Sequence, residues 1–274
     1  MKNFKKQLLA GPYLMWMLGF IILPMLLIVY YAFFSNHKFT LSNVLAITSE
    51  VNFKAILLSL KVGILSTLIC LLLSYPLALI LKNIKFKNQN FIVFLFMLPM
   101  WMNFMLRILA WKILLSKNGI LNTLLFNLNL PKIQILNTPS AIIFGMVYDY
   151  LPFMLLPIYN SMAHVKKDYI EAALDLGASR TRILFQIIIP LTMSGIVSGI
   201  IMVFVPTLTS FAISELLGGG KVLLIGNVIE HNFMQGMRWG IGSGLSFVLM
   251  VFVFISMILS SKFGEDEKGG TGVI

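Results

Sequence analysis

The sequence predicts an all-α membrane protein with six transmembrane helices, and three observations support this fold class. Hydrophobic residues make up 58% of the 274-residue chain and charged residues only 11%, whereas soluble domains average roughly 45–50% apolar and about 25% charged residues. Six apolar runs are each long enough to cross a hydrocarbon core of about 30 Å. Lysine and arginine residues cluster at the ends of these runs.

The six predicted spans cover residues 13–34, 55–81, 91–115, 140–162, 187–213 and 241–261. The first run follows a basic N-terminus as in a signal peptide, but it is too long for a signal h-region and lacks a small-residue cleavage site. We therefore expect it to remain as a helix. Pro190 is expected to kink the fifth span near the membrane interface, because proline removes a helical hydrogen bond.

The predicted organisation is a single membrane domain with short ends. It comprises an N-terminus at residues 1–12, a six-span membrane domain at 13–262 and a flexible tail at 263–274, with both ends predicted to be cytoplasmic from the charge distribution described next. The tail is rich in glycine and charge, a composition typical of disordered termini.

The positions of lysine and arginine assign the two sides of the membrane. One side collects twelve basic residues, including Lys82, Lys85 and Lys87 in a short loop without an acid, and the other side collects six. Because cytoplasmic loops carry an excess of basic residues, the first side is predicted to be cytoplasmic. Both termini and the loop at residues 164–190 then face the cytoplasm. This distribution accounts for the net charge of +11 without nucleic-acid binding.

The long cytoplasmic loop contains the polar stretch EAALDLGASRTRILFQIIIP. Asp168 and Glu171 have the spacing of a capping box at a helix start. Gly177 suits the left-handed position just after a helix end. Ser179 is predicted to cap a second helix that runs into the fifth span. The pattern therefore predicts a helix, a glycine turn and a second helix.

Six residues of this loop stand at fixed distances from one another, namely Glu171, Ala172, Ala173, Gly177, Ile187 and Pro190. Their spacing resembles the EAA loop of ABC-importer permeases, EAA-x3-G-x9-I-x-L-P, with Ile189 in place of leucine as the one departure. In that family the loop is the coupling helix, which docks in a groove of a cytoplasmic ATPase. The resemblance implies that these six residues form the ATPase-coupling site. It also implies the type I, MetI-like permease fold, with the first span at the periphery.

Longer stretches extend the match beyond the loop. They are LPMWMNFMLRILAWKILLSKNGILN from residue 98, TPSAIIFGMVY from 138, LPFMLLPIY from 151, IIIPLTMSGIVSG from 187 and GGGKVLLIGNVI from 218. These stretches are similar to the PotB-type permeases of spermidine/putrescine importers. The resemblance implies polyamine transport across a bacterial inner membrane by a chain that has no ATPase site and binds no cofactor itself.

The same resemblance implies the remaining subunits of the importer. They are an ATP-binding subunit (PotA-like) that uses ATP and Mg, a second permease (PotC-like) and an extracytoplasmic substrate-binding protein (PotD-like). ATP binding would draw the coupling helices together and turn the cavity outward, and hydrolysis would reset it.

Charged residues within spans are costly unless they face water or a partner. Lys61 and Lys112 lie toward span ends and are expected to snorkel to the interface. Asp149 is too short to snorkel and precedes Pro152 in the fourth span. Two interpretations remain open for it: the carboxylate faces the substrate pathway, or it pairs with Arg107 or Lys61 as a structural contact.

Three further residues are predicted to belong to the substrate pathway with Asp149. Trp101 and Tyr148 offer ring faces to ammonium groups, although aromatic residues near span ends also act as interface anchors. Glu215 lies at the predicted outer mouth, where carboxylates raise the local cation concentration. The alternative for Glu215 is that it is simply solvated, as isolated acidic residues in loops often are.

Other kinds of site receive little support from the sequence. The GGGK stretch lacks the residues of a phosphate-binding loop, and a glycine hinge before a short amphipathic helix is expected there. The three histidines lack a metal-ligand pattern, and no catalytic arrangement is predicted. The alternatives to a polyamine permease are an ABC permease for another solute and an ion-coupled secondary transporter; the polar cytoplasmic loop disfavours the second.

Overall fold

The computed structural model describes residues 11–35, 38–83 and 94–265, with side chains described up to residue 258. Residues 1–10, 36–37, 84–93 and 266–274 lie outside these ranges. They include several residues used in the sequence analysis: Lys2, Lys5, Lys6, His37, Lys85, Lys87 and Lys268.

The described chain is almost entirely helical. In chain order the α-helices are α1 (Gly11–Met17), α2 (Leu23–Phe33), α3 (Ser42–Leu45), α4 (Glu50–Asn83), α5 (Phe104–Leu114), α6 (Ile120–Asn127), α7 (Pro139–His164), α8 (Lys167–Asp175), α9 (Arg180–Ile183), α10 (Ile189–Leu191), α11 (Met193–Thr209), α12 (Ala212–Gly218), α13 (Ile225–Met234) and α14 (Trp239–Glu265). π-Helical turns lie at Leu18–Ile22 and Leu184–Ile188, and 3-10 turns at Ala46–Thr48 and Leu98–Trp101. Two short strands, β1 (Phe34–Ser35) and β2 (Lys38–Phe39), pair antiparallel.

Within the described residues, four helices are long and apolar enough to cross a membrane, and two bent pairs bring the number to six if each pair is one span. The four are Gly11–Phe33, Glu50–Lys82, Pro139–His164 and Trp239–Ile258. They coincide with the first, second, fourth and sixth predicted spans. The predicted glycine hinge and following short helix are also present, as Gly219 and Gly220 with positive φ before α13.

The third span is broken, which its hydropathy did not predict. The segment Phe94–Trp101 meets α5 at an angle of 95°. Asn103 caps α5, because its side-chain oxygen accepts hydrogen bonds from the backbone N–H groups of Met105 at 2.9 Å and Leu106 at 3.2 Å. A new helix start with its own cap therefore lies within the apolar run.

The fifth span is also broken, close to the proline that predicted a kink. The segment Arg180–Leu191 meets α11 at 67°. The break falls at Thr192, whose hydroxyl donates to the carbonyl of Ile188 at 2.8 Å and lies 3.1 Å from the hydroxyl of Tyr75. These bonds supply partners to polar groups that lipid would leave unsatisfied.

The chain divides into two compact units, Met1–Ala55 with Val228–Val253, and Ile56–Asn227 with Phe254–Ile274. The first unit is held largely by aromatic contacts. The ring of Phe33 packs edge-on against Phe247 with centroids 5.0 Å apart, and Tyr31 and Phe233 both contact Trp239.

The second unit contains two buried apolar clusters. One lies between α4, α7 and α11, and its fully buried members include Cys70, Met154 and Val203. The other joins α5, α7 and α12. The helices α7 and α11 approach closely because Gly195 and Gly199, four residues apart, face Pro157 and Met154 without a side chain between them, as small residues do in membrane helix pairs.

Candidate functional site

The predicted coupling loop folds as a helix that ends in a glycine turn. Helix α8 ends before Gly177, whose φ of +79° is in the left-handed region. The N–H of Gly177 donates to the carbonyl of Leu174, and the N–H of Ala178 donates to that of Ala173, both at 2.9 Å. This pair of bonds is a Schellman motif, so the predicted left-handed position of Gly177 after the helix end is confirmed, and its part in ATPase coupling stays a prediction.

The two predicted helix caps have different outcomes. Ser179 caps α9, since its hydroxyl accepts a hydrogen bond from the N–H of Arg182 at 3.3 Å. The prediction that Asp168 caps α8 is wrong, because Lys166 occupies the cap position and no side chain bonds there. Asp168 lies instead in the first turn, where a carboxylate favours the positive end of the helix dipole. Glu171 consequently does not complete a capping box.

The coupling loop and the start of the fifth span enclose a shallow apolar groove of about 490 Å³. Its lining residues are Tyr169, Ala172, Ala173, Leu176, Gln186, Ile187, Pro190 and Leu191. Four of the six predicted coupling residues therefore lie together in this groove. Glu171 and Gly177 are exposed beside it, and Glu171 has no hydrogen bond or ion pair among the described residues.

Helix α8 is also tied to the second and fourth spans. The Lys82 ammonium donates to the carbonyl of Val165 at 3.2 Å, and Val165 is the residue that ends α7. Only Lys166 separates Val165 from the start of α8. The chain is therefore held to α4 immediately before α8 begins.

Asp149 forms an ion pair with Arg107. The Arg107 Nε lies 2.5 Å from Asp149 Oδ1, and the two residues are 8% and 3% exposed. The Arg107 Nε thus serves Oδ1, whereas the second carboxylate oxygen, Oδ2, is buried without a hydrogen-bond donor among the described residues. Lys61, the other suggested partner, is exposed. Of the two interpretations of Asp149, the pair with Arg107 is formed here, and its contact with a substrate stays a prediction.

Tyr148 lies beside this pair, whereas Trp101 lies apart from it. The Tyr148 ring packs edge-on against Trp111 with centroids 5.1 Å apart, and the Arg107 guanidinium lies 6.0 Å from the Tyr148 centroid. Trp101 is 75% exposed at the end of its 3-10 turn, with Phe94 as its ring neighbour. Arg107 also donates to the carbonyl of Pro99 in that turn.

Glu215 is exposed on α12, and one of its oxygens accepts from the Asn227 amide at 3.4 Å. Asn227 is buried, and its oxygen accepts hydrogen bonds from the Ser214 hydroxyl at 2.5 Å and the Leu224 N–H at 3.2 Å. The same amide donates to the carbonyl of Phe211. Asn227 thus holds the first turn of α12, which carries Glu215, against the start of α13, a role not predicted from the sequence. Its position as a lone amide in GGGKVLLIGNVI was the available signal.

A family model described as "Binding-protein-dependent transport system inner membrane component" matches residues 74–264. The chain is 39% identical over 253 residues to the spermidine/putrescine transport system permease protein PotB of Escherichia coli, covering 89% of this chain and 92% of that protein. It is 37% identical over 247 residues to the protein of the same name in Haemophilus influenzae, covering 87% and 86% of the two chains.

Solved structures share the fold. A chain of a bacterial alginate ABC transporter, solved in complex with an alginate-bound periplasmic protein, has a TM-score of 0.76 at 19% identity and covers 94% of this chain and 93% of its own. The predicted fold and the permease resemblance are both confirmed. The chain belongs to the family of binding-protein-dependent transport system inner membrane components, the multi-pass permease subunits of ABC importers.

Proposed function

We propose that this chain is the permease subunit through which an ATP-driven importer moves polyamines, such as spermidine and putrescine, into a bacterial cell. The observation that carries the proposal is the 39% identity, across nine-tenths of both chains, to permeases named for spermidine and putrescine transport. The partners follow from this assignment: an ATPase (PotA-like), a second permease (PotC-like) and an extracytoplasmic binding protein (PotD-like). ATP and Mg serve the ATPase, and this chain transports its substrate without changing a bond.

The coupling helix α8 provides the docking surface for the ATPase in this proposal. Its apolar side chains are unusually accessible: Leu176 is 88% exposed, and Tyr169 and Leu174 are about half exposed. Large exposed apolar side chains beside a groove are typical of a protein contact. The adjacent Glu171 supplies a charge that has no partner within the described chain and is available to a basic group on the ATPase.

Movement of α8 has a direct route to the spans. The Schellman turn at Gly177 and the cap at Ser179 join α8 to α9 within a few residues. The segment that begins with α9 continues to the bend at Thr192. At the other end, Lys82 and Val165 tie α8 to α4 and α7. The nucleotide cycle is thereby coupled to three spans at once.

For the substrate pathway we retain the four predicted residues Trp101, Tyr148, Asp149 and Glu215. A carboxylate buried in a span and an exposed carboxylate on α12 both favour a cationic substrate over an anionic one. The exposed indole of Trp101 adds a ring face that suits an ammonium group.

Reconstitution tests the assignment. A complex of this chain with its ATPase, second permease and binding protein in proteoliposomes is expected to accumulate labelled spermidine only with MgATP. Omission of the ATPase should stop uptake, which separates an ABC importer from an ion-coupled transporter. Excess putrescine should compete, whereas an inorganic anion should not. Uptake driven by an ion gradient alone, or competition by the anion, would refute the proposal.

The proposed orientation places both termini and α8 in the cytoplasm, and thiol labelling tests it. The native Cys70 is fully buried and should label weakly. A cysteine at the exposed Thr181 should react with an impermeant maleimide only after cells are opened, whereas a cysteine at the exposed Lys221 should react in intact cells. Labelling of the Thr181 variant in intact cells would show that the chain has the opposite orientation in the membrane.

A further inference from the structure

Arg107 links three elements at the break in the third span. It belongs to α5, its Nη1 donates to the carbonyl of Pro99 in the preceding 3-10 turn, and its Nε pairs with Asp149 on α7. Its guanidinium also lies 5.9 Å from the ring centroid of Phe104 and 6.0 Å from that of Tyr148. Arg107 therefore has partners that remain in place if its contact with Asp149 is broken.

Asp149 is incompletely satisfied by this pair. A guanidinium commonly binds a carboxylate through two parallel N–H bonds. Here Nη1 of Arg107 donates to Pro99, and the described contact with the carboxylate is the one from Nε to Oδ1. The Oδ2 of Asp149 is buried without a donor among the described residues. A buried acceptor of this kind gains strongly from any donor that reaches it.

A second acceptor lies next to this carboxylate along the chain. Pro152 is inside α7 and has no N–H, so it cannot donate to the carbonyl of Tyr148 four residues earlier. The Tyr148 carbonyl and the Asp149 Oδ2 thus belong to consecutive residues, and each has an acceptor position that no described donor fills. The Tyr148 ring already has a cation near it. This combination suits a primary ammonium, which carries three donors and a compact charge.

We infer that Arg107 stands in for the substrate's ammonium group, occupying Asp149 while the pathway is empty and yielding it to a polyamine during transport. The inference rests on the proposed function and adds a residue that competes with the substrate. On displacement, the guanidinium keeps the Pro99 carbonyl and the rings of Phe104 and Tyr148. The ammonium gains the Asp149 carboxylate and the Tyr148 carbonyl.

Two variants separate this competition from a purely structural pair. Arg107→Gln removes the competing cation, and the neutral double variant Arg107→Gln with Asp149→Asn removes both charges, so that no unpaired charge remains buried. The measurement is the KM for spermidine uptake by the reconstituted complex. MgATP hydrolysis without spermidine reports on assembly. Glu50→Gln is the matched control, because Glu50 is 79% exposed and its ion pair is with Lys54 on the same helix.

Competition by Arg107 predicts a lower KM for Arg107→Gln than for the native complex. The double variant should then have a KM roughly tenfold or more above that of Arg107→Gln, as expected for the loss of one charge-assisted contact. Glu50→Gln should leave the KM unchanged. Should Arg107→Gln fail to assemble, Arg107→Lys takes its place, since a shorter side chain with a single ammonium pairs with Asp149 less completely. Its KM should again lie below the KM of the variant that also carries Asp149→Asn.

A double variant with the same KM as Arg107→Gln would overturn the inference, because the loss of the Asp149 charge would then cost the substrate no contact. The proposed function would then stand, since spermidine is still transported. If the native complex hydrolyses ATP but moves no spermidine, both the proposed function and the inference fail.

Discussion

Replacing Gly177 with valine is expected to reduce ATP-driven uptake strongly while the protein still inserts into the membrane. Gly177 has φ of +79°, a conformation that costs a β-branched residue about 1–3 kcal/mol. No atom lies within 4 Å of the position its Cβ would take, so the effect comes from the backbone and not from a clash. The exposed turn is expected to relieve the strain by opening, which breaks the Schellman bonds and misplaces α8.

The measurement is spermidine uptake and MgATP hydrolysis by the reconstituted complex. Each 1.4 kcal/mol of strain lowers the ratio of the native turn to the opened turn about tenfold. Uptake is therefore expected to fall roughly tenfold or more. Gly220 provides the matched control, with φ of +70° and no atom within 4 Å of the position that a Cβ would take there. Gly220→Val has the same kind of strain outside the coupling loop. Equal uptake by both variants would contradict a special role for Gly177.

Replacing Gly195 with valine is expected to prevent the fourth and fifth spans from packing. A Cβ at Gly195 would lie 2.5 Å from the carbonyl oxygen of Pro157 and 2.7 Å from the Cβ of Ser161. Because the backbone of α7 forms part of the obstacle, a side-chain rotation cannot relieve the clash. Overpacking costs typically about 1–3 kcal/mol and occasionally more. Because valine adds two methyl groups beyond Cβ, the cost for this variant is expected at the upper end of that range.

The measurement is the yield of monodisperse protein and its thermal unfolding in detergent. Gly195→Val is expected to give little folded protein, and Gly195→Ala a lower melting temperature than the native chain. Gly19→Val is the control, since Gly19 is in the first span and no atom lies within 4 Å of its Cβ position. A native melting temperature for Gly195→Val would show that α7 and α11 do not pack as described.

The sequence predicted the positions of the four unbroken spans, since these depend on local hydropathy, and the predicted number of six holds if each bent pair is one span. It did not predict that the third and fifth spans are broken. A window of apolar residues has the same hydropathy whether it is straight or bent by 95°. The break in the third span depends on Asn103 as a helix cap and on Arg107 reaching back to Pro99, contacts that only the folded chain reveals.

The coupling loop was more predictable than the substrate pathway. Its turn and second helix depend on local backbone chemistry, so Gly177 and Ser179 were identified correctly. Asp168 was misassigned because a small difference in the helix start moved it from the cap into the first turn. The partner of Asp149 lies far away in sequence, on another helix. Local sequence therefore left Arg107 and Lys61 as equal choices.

The 67° bend at Thr192 has a mechanical consequence. A force applied to one end of a straight helix moves the helix along its axis. When a helix is bent and one arm is held by packing, the same force rotates the free arm about the bend. Here the longer arm is clamped by its glycine contacts with α7. A load on the Arg180–Leu191 arm is therefore expected to rotate this arm about Thr192 and not to push α11 along its own axis.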